Sequence, residues 1–191
     1  MPRSDEQNEA VRAESRAKIM NAALGLFSQH GYEQTSIRMI AQAAGISQGL
    51  MYNYFESKEH LLAEIFRASM RDVRESFAVA EAAAPGERIE ALIRGAFGIL
   101  RRNLDFWRLS YAVRMQSPAL AALGDDVRAW TEQIHRTLAG YFREAGAPNP
   151  EVEAAILFAL IDGVSQHFAL DPQRYPLDAV ADALVARYRN A

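Results

Sequence analysis

The chain has no cysteine, so a disulfide framework and a thiolate metal site are both excluded, while a reducing compartment is compatible. It has no excess of charge of one sign either: 21 Lys and Arg stand against 24 Asp and Glu, for a net charge of −3. Nonspecific nucleic-acid coats are usually strongly basic, so that class is disfavoured. Specific binding through hydroxyls, backbone amides and helix N-termini stays open. No apolar run approaches the roughly 20 residues that a bilayer-spanning helix needs. Residues 1–13 are polar and carry Asp5, Glu6 and Glu9, which reads as a frayed leader rather than a secretory signal, and the expected location is the cytoplasm. No Gly-x-Ser-x-Gly elbow, P-loop or Gly-x-Gly-x-x-Gly occurs, so catalysis and a bound cofactor have no positive support.

What the chain does have is apolar mass with helical spacing. Half of its 191 residues are hydrophobic, and no window alternates with period two, so an all-α fold is predicted. A first helix over residues 15–30 buries Ile19, Ala23, Leu26 and Phe27 and ends at Gly31. Ser57 is an N-cap for a helix over residues 60–80, with Leu61, Leu62, Ile65, Phe66, Met70, Val73 and Phe77 as its stripe. After the Pro85-Gly86 break, helices are predicted over residues 89–103 and 105–115. Ser117-Pro118 starts another by the preference for proline in the first turn. A longer helix over residues 125–144 stops at Gly146. Residues 151–170 are apolar nearly all round, which calls for burial between helices or between subunits, and residues 177–189 form the last helix.

Residues 31–58 carry the sharpest local signal. Thr35 or Ser36 can cap a short helix whose Ile37, Ile40 and Ala41 share one face, and Gly45 supplies the turn. Ser47 caps a second short helix, in which Met51 and Phe55 lie four apart on the side opposite Gln48, Tyr52 and their neighbours. Two short capped helices around one glycine spell a helix-turn-helix, whose second helix enters a DNA groove.

With Phe27, Gly31, Tyr32, Thr35, Ile37, Ile40, Ala41, Ala44-Gly45-Ile46-Ser47, Tyr52, Tyr54-Phe55 and Lys58-Glu-His-Leu-Leu in this order and spacing, residues 15–62 closely resemble the DNA-binding domain of the TetR family of bacterial transcriptional regulators. The resemblance implies an N-terminal three-helix helix-turn-helix domain, a C-terminal helical ligand-binding and dimerisation domain, and about nine helices. The expected partition is a flexible leader over 1–14, the DNA-binding domain over 15–60 and the second domain over 61–191. It implies that Arg38, Gln48, Gly49, Leu50 and Asn53 face base edges, while Thr35, Ser47, Tyr52, Tyr54 and Lys58 hold the phosphate backbone; Ser36 is nominated for DNA contact as well. The chemistry agrees for several: arginine forks onto guanine, Gln and Asn pair with adenine, and glycine permits close backbone approach. Gln48 stands where lysine is frequent in the family, and Leu50 where a small residue is; both bear on which operator is read.

The family also implies an operator of double-stranded DNA, a small-molecule effector of unknown identity and a homodimer. The last two helices pack against their mates, which nominates Ile156, Leu160, Gly163, Val164, His167, Val180, Leu184 and Tyr188. Phe66, Met70, Phe97, Trp107, Tyr111, Met115, Trp130, Ile134 and Phe158 either line a ligand cavity or fill a core. Arg108 and Arg114 either greet a polar ligand or form a solvated face. Glu132-x-x-His135 has the spacing of a carboxylate-bundle metal pair. Such a centre needs a second pair and two more glutamates, and no other Glu-x-x-His occurs, so no metal is expected. The implied function is a ligand-responsive repressor released from a palindromic operator. An alternative is a helical enzyme or sensor whose N-terminal bundle docks a protein.

Overall fold

The structure, a computed structural model, describes residues 5–114 and 117–189. These residues hold nine α-helices, one 3-10 turn (Pro85–Glu87) and no strand. The helices are α1 (Asp5–His30), α2 (Ile37–Ala43), α3 (Gln48–Tyr52), α4 (Lys58–Ala82), α5 (Arg88–Arg102), α6 (Leu104–Arg114), α7 (Ser117–Glu144), α8 (Pro150–Leu170) and α9 (Leu177–Tyr188). The all-α expectation therefore holds. Two compact units emerge, one from the stretch through Ala68 with Leu109–Ala122, the other from Ser69–Arg108 with the chain from Leu123 onward.

In the first unit, Ile19, Ala23 and Phe27 recur every four residues on α1 and are almost wholly buried; Leu26 is only half-buried. Ile40 and Ala41 from α2, Met51 from α3, Phe55, and Leu61, Leu62 and Ile65 from α4 are buried in the same unit. Hydroxyl caps start the helices where predicted. Ser36 accepts from the Met39 amide at 3.2 Å, Ser47 from Leu50 at 3.1 Å and Ser57 from His60 at 3.0 Å. Gly45, at φ +70°, lets the Ile46 amide reach the Ala41 carbonyl (3.0 Å) while its own amide reaches Gln42 (3.1 Å). That pair of bonds closes α2 and needs the left-handed conformation that glycine adopts without strain.

In the second unit α5, α7, α8 and α9 share a core containing Ile93, Phe97, Leu100, Leu138, Phe142, Leu157 and Leu184. An ion ladder joins α5 to α9: Arg94 to Asp182 at 3.0 Å, Arg101 to Asp178 at 2.6 Å and Arg189 to Glu90 at 2.7 Å. Arg88 pairs with Glu144 and lies over the Tyr141 ring, tying the start of α5 to the end of α7.

Three expectations are corrected. Helix α1 starts at Asp5 rather than at residue 15, so the described part of residues 1–14 is helical rather than a flexible leader. Residues 9–14 are exposed, and their helix rests on the propensity of Glu, Ala and Arg, which leaves no apolar periodicity to read. The two helices predicted over 117–144 are one, α7, because Gly124 within a helix costs only about 1 kcal/mol against alanine. Finally, α8 is a helix of 21 residues in which a stretch of 18 has a mean hydropathy of 1.3, long and apolar enough by length and composition to cross a membrane. Its Glu151, Glu153 and Asp162 break up the run in sequence.

Candidate nucleic-acid interface

Helix α3 has only five residues, too few to be stable alone, and it is held by its inner side. Met51 is fully buried and Phe55 is 1% exposed, as their four-residue spacing predicts. The opposite side is left outward. Gln48, Gly49 and Asn53 are exposed, with Leu50 41% and Tyr52 49% exposed, and Arg38 on α2 is exposed too. Tyr54 is half-buried. Large side chains such as Leu50 and Tyr52, turned outward beside amide groups, can meet thymine methyls, base edges and backbone at once. Ser36 and Ser47 use their hydroxyls as acceptors for the caps, so each retains its hydrogen to donate to a phosphate oxygen. A β-carbon at Gly49 would meet nothing within 4 Å.

Two residues nominated for phosphate face inward. Thr35 is 1% exposed, and its hydroxyl donates to the Gly31 carbonyl at 2.8 Å, with the Leu26 carbonyl 3.3 Å away. Its side chain closes the turn between α1 and α2. Lys58 donates to the carbonyls of Tyr32 (3.0 Å) and Thr35 (3.2 Å), and its ammonium lies 4.2 Å from the Tyr32 ring centroid. Two of its three hydrogens are thus engaged within the head. The reason is shared: a hydroxyl or ammonium satisfies a carbonyl as readily as a phosphate, and chain ends at helix junctions present carbonyls.

Sequence reasoning missed Arg16, whose guanidinium reaches the Tyr54 carbonyl (3.3 Å) and the Glu64 carboxylate. With Lys18 paired to Glu14 at 2.8 Å and Lys58 on its carbonyls, three of the five cations in residues 10–60 are engaged internally. Bulk electrostatic attraction to nucleic acid is correspondingly small.

Two carboxyls on α4 tie the head to pH. Glu59 is held below the ordinary value of 4.5 by its own backbone amide, the Ser57 hydroxyl and the Tyr32 phenol, which donates at 3.1 Å. For Glu64, burial pulls upward, but bonds from Arg16 and Arg67 outweigh it and the pKa falls. Carboxyls depressed in the folded state contribute stability above their unfolded pKa and lose it as pH falls through the folded value. Thermal melts should therefore be flat near neutrality and drop below about pH 4.5, and Glu64→Gln should show a shallower acid drop than wild type. An equal drop would remove Glu64 from the account.

The C-terminal nominations divide. Phe97 and Ile134 are core residues, with Trp107, Trp130 and Phe158 half-buried against the same core. Phe66 and Met70 are buried on α4, and Tyr111 is half-buried on α6. Met115 and the side chain of Arg114 lie outside the described residues. Arg108 is exposed, but it is tied within the chain: it donates to the Ala169 carbonyl at 2.9 Å, at the end of α8, where a cation satisfies orphan carbonyls. Open clefts of about 390 and 400 Å³ lie along α7, lined by Thr131, Glu132, His135 and Arg136 and by His135, Arg136, Ala139, Arg143 and Glu151. Glu132 and His135 thus share a cleft, and among the described residues no three His, Asp or Glu gather as a metal site.

On α8, Ile156 is 42% exposed and His167 is exposed, with Leu160, Gly163 and Val164 half-buried; Val152 at 56% and Leu170 at 76% extend this apolar side. On α9, Val180 is half-buried, but Leu184 and Tyr188 are not available to a mate. Each is 8% exposed and belongs to the core of its own chain. With Leu177, Ala181 and Val185 they form one stripe, and a single stripe can be buried in only one place; alanines 179, 183 and 186 face outward instead.

Two family profiles match the chain: "Bacterial regulatory proteins, tetR family" over residues 19–65, and "BetI-type transcriptional repressor, C-terminal" over residues 85–189. The transcriptional regulator BetI 1 of Chromohalobacter salexigens is 30% identical over 171 residues, spanning 85% of this chain and 83% of that protein. BetI of Burkholderia thailandensis is 31% identical over 165 residues, 81% of each. Among solved structures, FadR from Bacillus subtilis in complex with stearoyl-CoA superposes with a TM-score of 0.76 at 18% identity, covering 90% of this chain and 96% of that one. A TetR-like regulator from Rhodococcus sp. RHA1 gives 0.75 at 25% identity, covering 98% and 96%. The relatives are transcriptional regulators, which tells against the helical-enzyme alternative. By its matching profiles, its relatives and its helix-turn-helix head, the chain belongs to the TetR family of bacterial transcriptional regulators, with a BetI-type C-terminal region, and is a DNA-binding regulator rather than an enzyme.

Proposed function

We propose that the protein is a cytoplasmic homodimeric repressor that binds a palindromic operator and is released by a small molecule. Residues 15–60 read DNA; residues 61–191 bind the effector and the second subunit. The observation that carries this reading is the two-sided character of α3, anchored by Met51 and Phe55 with Gln48, Leu50, Tyr52 and Asn53 outward. Base edges are met by Arg38, Gln48, Gly49, Leu50 and Asn53, and phosphates by Ser36, Ser47, Tyr52 and Tyr54. The apolar side of α8 around Val152, Ile156 and Gly163, flanked by the alanine side of α9, is the surface a second copy covers; this also accounts for so apolar a helix. Two copies would then set their α3 helices into successive major grooves, about 34–36 Å apart.

The effector is a small molecule taken up among the aromatics of the second unit, Trp107 and Trp130 included. The Bacillus subtilis regulator of similar fold holds stearoyl-CoA, which supports a ligand of some kind without fixing its class. A ligand releases DNA only by binding the non-DNA conformation more tightly, and DNA must weaken the ligand by the same factor.

Sedimentation and mobility shift on DNA flanking the protein's own gene test this reading. Wild type should sediment as a dimer and shift a palindromic fragment. Ile156→Glu, a charge placed on an already exposed position, should sediment as a folded monomer and bind at least about a hundredfold more weakly, because the second half-site no longer benefits from linkage. A dimer unaffected by Ile156→Glu would remove α8 from the interface, and a wild type that shifts no palindromic fragment would remove the operator.

A further inference from the structure

We propose that Arg16 is a positioning residue for DNA reading: from α1 it holds the exit of the recognition helix against the first turns of α4 without itself touching DNA. This rests on α3 being the reading helix. Three contacts converge on the guanidinium. One nitrogen donates to the Tyr54 carbonyl at 3.3 Å, the other terminal nitrogen donates to the Glu64 carboxylate, and the group lies 4.6 Å from the centroid of the Phe55 ring. Glu64 is held from its other oxygen by Arg67 at 3.1 Å.

The placement matters more than the energy. The side chains of Arg16 and Glu64 are 36% and 25% exposed, so solvent screens the pair and its share of the unfolding free energy is small. Yet a five-residue helix takes its direction from whatever fixes its ends and its inner side. The start of α3 is fixed by the Ser47 cap and its inner side by Met51. The exit is held by the burial of Phe55, by the Tyr54 and Phe55 amides on the Met51 carbonyl (2.9 and 3.0 Å) and, at the Tyr54 carbonyl, by Arg16. A planar fork that meets a carbonyl, a carboxylate and a ring face together defines a position, and a lysine cannot reproduce it. Base readout has narrow hydrogen-bond geometry, so a small rotation of α3 weakens specific binding while phosphate attraction persists. Because α4 runs on from Glu64 to Ala82, the same pair would pass a change in the direction of α4 to α3.

The test uses the full chain. An operator is recovered by selecting wild type against random duplex DNA, and affinity is measured across salt concentrations for wild type, Arg16→Lys and Arg16→Gln, with thermal melts alongside. Positioning predicts about a tenfold loss of operator affinity in both variants, the scale of one lost charge-assisted hydrogen bond. It also predicts an unchanged slope of log affinity against log salt, unchanged affinity for unrelated DNA and a melt near that of wild type. Should Arg16→Gln fail to fold, Arg16→Lys decides alone, since it keeps the charge and loses the fork. The inference is overturned by wild-type affinity in Arg16→Lys. It is equally overturned by a slope shallower by about 0.9 in Arg16→Gln, the mark of a direct phosphate contact, or by a loss that appears only where the head has melted. A wild type that selects no DNA at all brings down the reading of α3 itself, a result distinct from variants that bind as wild type does.

Discussion

Phe27→Ala should unfold the helix-turn-helix head, at a cost of about 3–5 kcal/mol. The residue is 1% exposed, and its ring packs 5.2 Å from that of Tyr32, the aromatic that follows the Gly31 cap. Removing the ring takes away the burial energy and leaves a cavity that neither α2 nor α3 can readily fill, since both are short and already held by their own buried residues. Tyr32 in turn donates to Glu59 and lies beneath Lys58, so the loss extends to the junction of α1, α2 and α4. Whole domains are typically stable by only about 5–15 kcal/mol, and this head is a small one. Circular dichroism melts of wild type and variant should show the head's transition displaced downward or merged with the baseline, with DNA binding lost in parallel. A melt within about 1 kcal/mol of wild type, by denaturant titration, would show that Phe27 is not the keystone of this core.

The combined change Gln48→Ala and Tyr52→Ala should have the opposite profile, an intact fold and no reading. Both side chains point away from the core, with Tyr52 49% exposed, and alanine favours helix over either. Melting should therefore be unchanged or slightly raised. Gln48 as a base contact discriminates by about 1–3 kcal/mol and the phosphate contact of Tyr52 serves any sequence, so operator affinity should fall by at least about thirtyfold, and by more than affinity for unrelated DNA does. Gly49→Ala is the companion measurement. Its methyl enters open space in the free protein, and alanine is better in a helix by about 1 kcal/mol. A loss of operator affinity in this variant would locate a groove wall at residue 49. Equal operator binding by the double variant and wild type would remove the proposed recognition side altogether.

The head was legible because its signals are local. Ser36, Ser47 and Ser57 each bond an amide three residues on, and Gly45 closes α2 through bonds spanning three to five residues. Met51 and Phe55 announce the inner side of α3 by their spacing alone. The same locality explains the failures. The exposed start of α1 has no apolar side to betray it, and Gly124 looks like a break although α7 passes through it. Thr35 and Lys58 carry groups suited equally to phosphate and to carbonyl oxygen, so their chemistry could not say which they meet. For Leu184 and Tyr188, an apolar stripe promises burial but does not name the surface that buries it; here it is the core shared with α5.

By itself the amino-acid sequence determined most of the helices, the serine caps of α2, α3 and α4, the residues that must be buried and the class of macromolecule the head binds, because each depends on atoms within about two turns of one another. Tertiary structure decided what depends on distant segments meeting. It alone brings Arg16 to Glu64 across 48 residues and Lys58 to Tyr32 across 26, and it alone turns Thr35 inward. It also divides α8 into a side buried at Ala154, Leu157 and Phe168 and a side left bare at Val152 and Ile156. A charge or a methyl group carries no record of its partner until packing brings the two within reach.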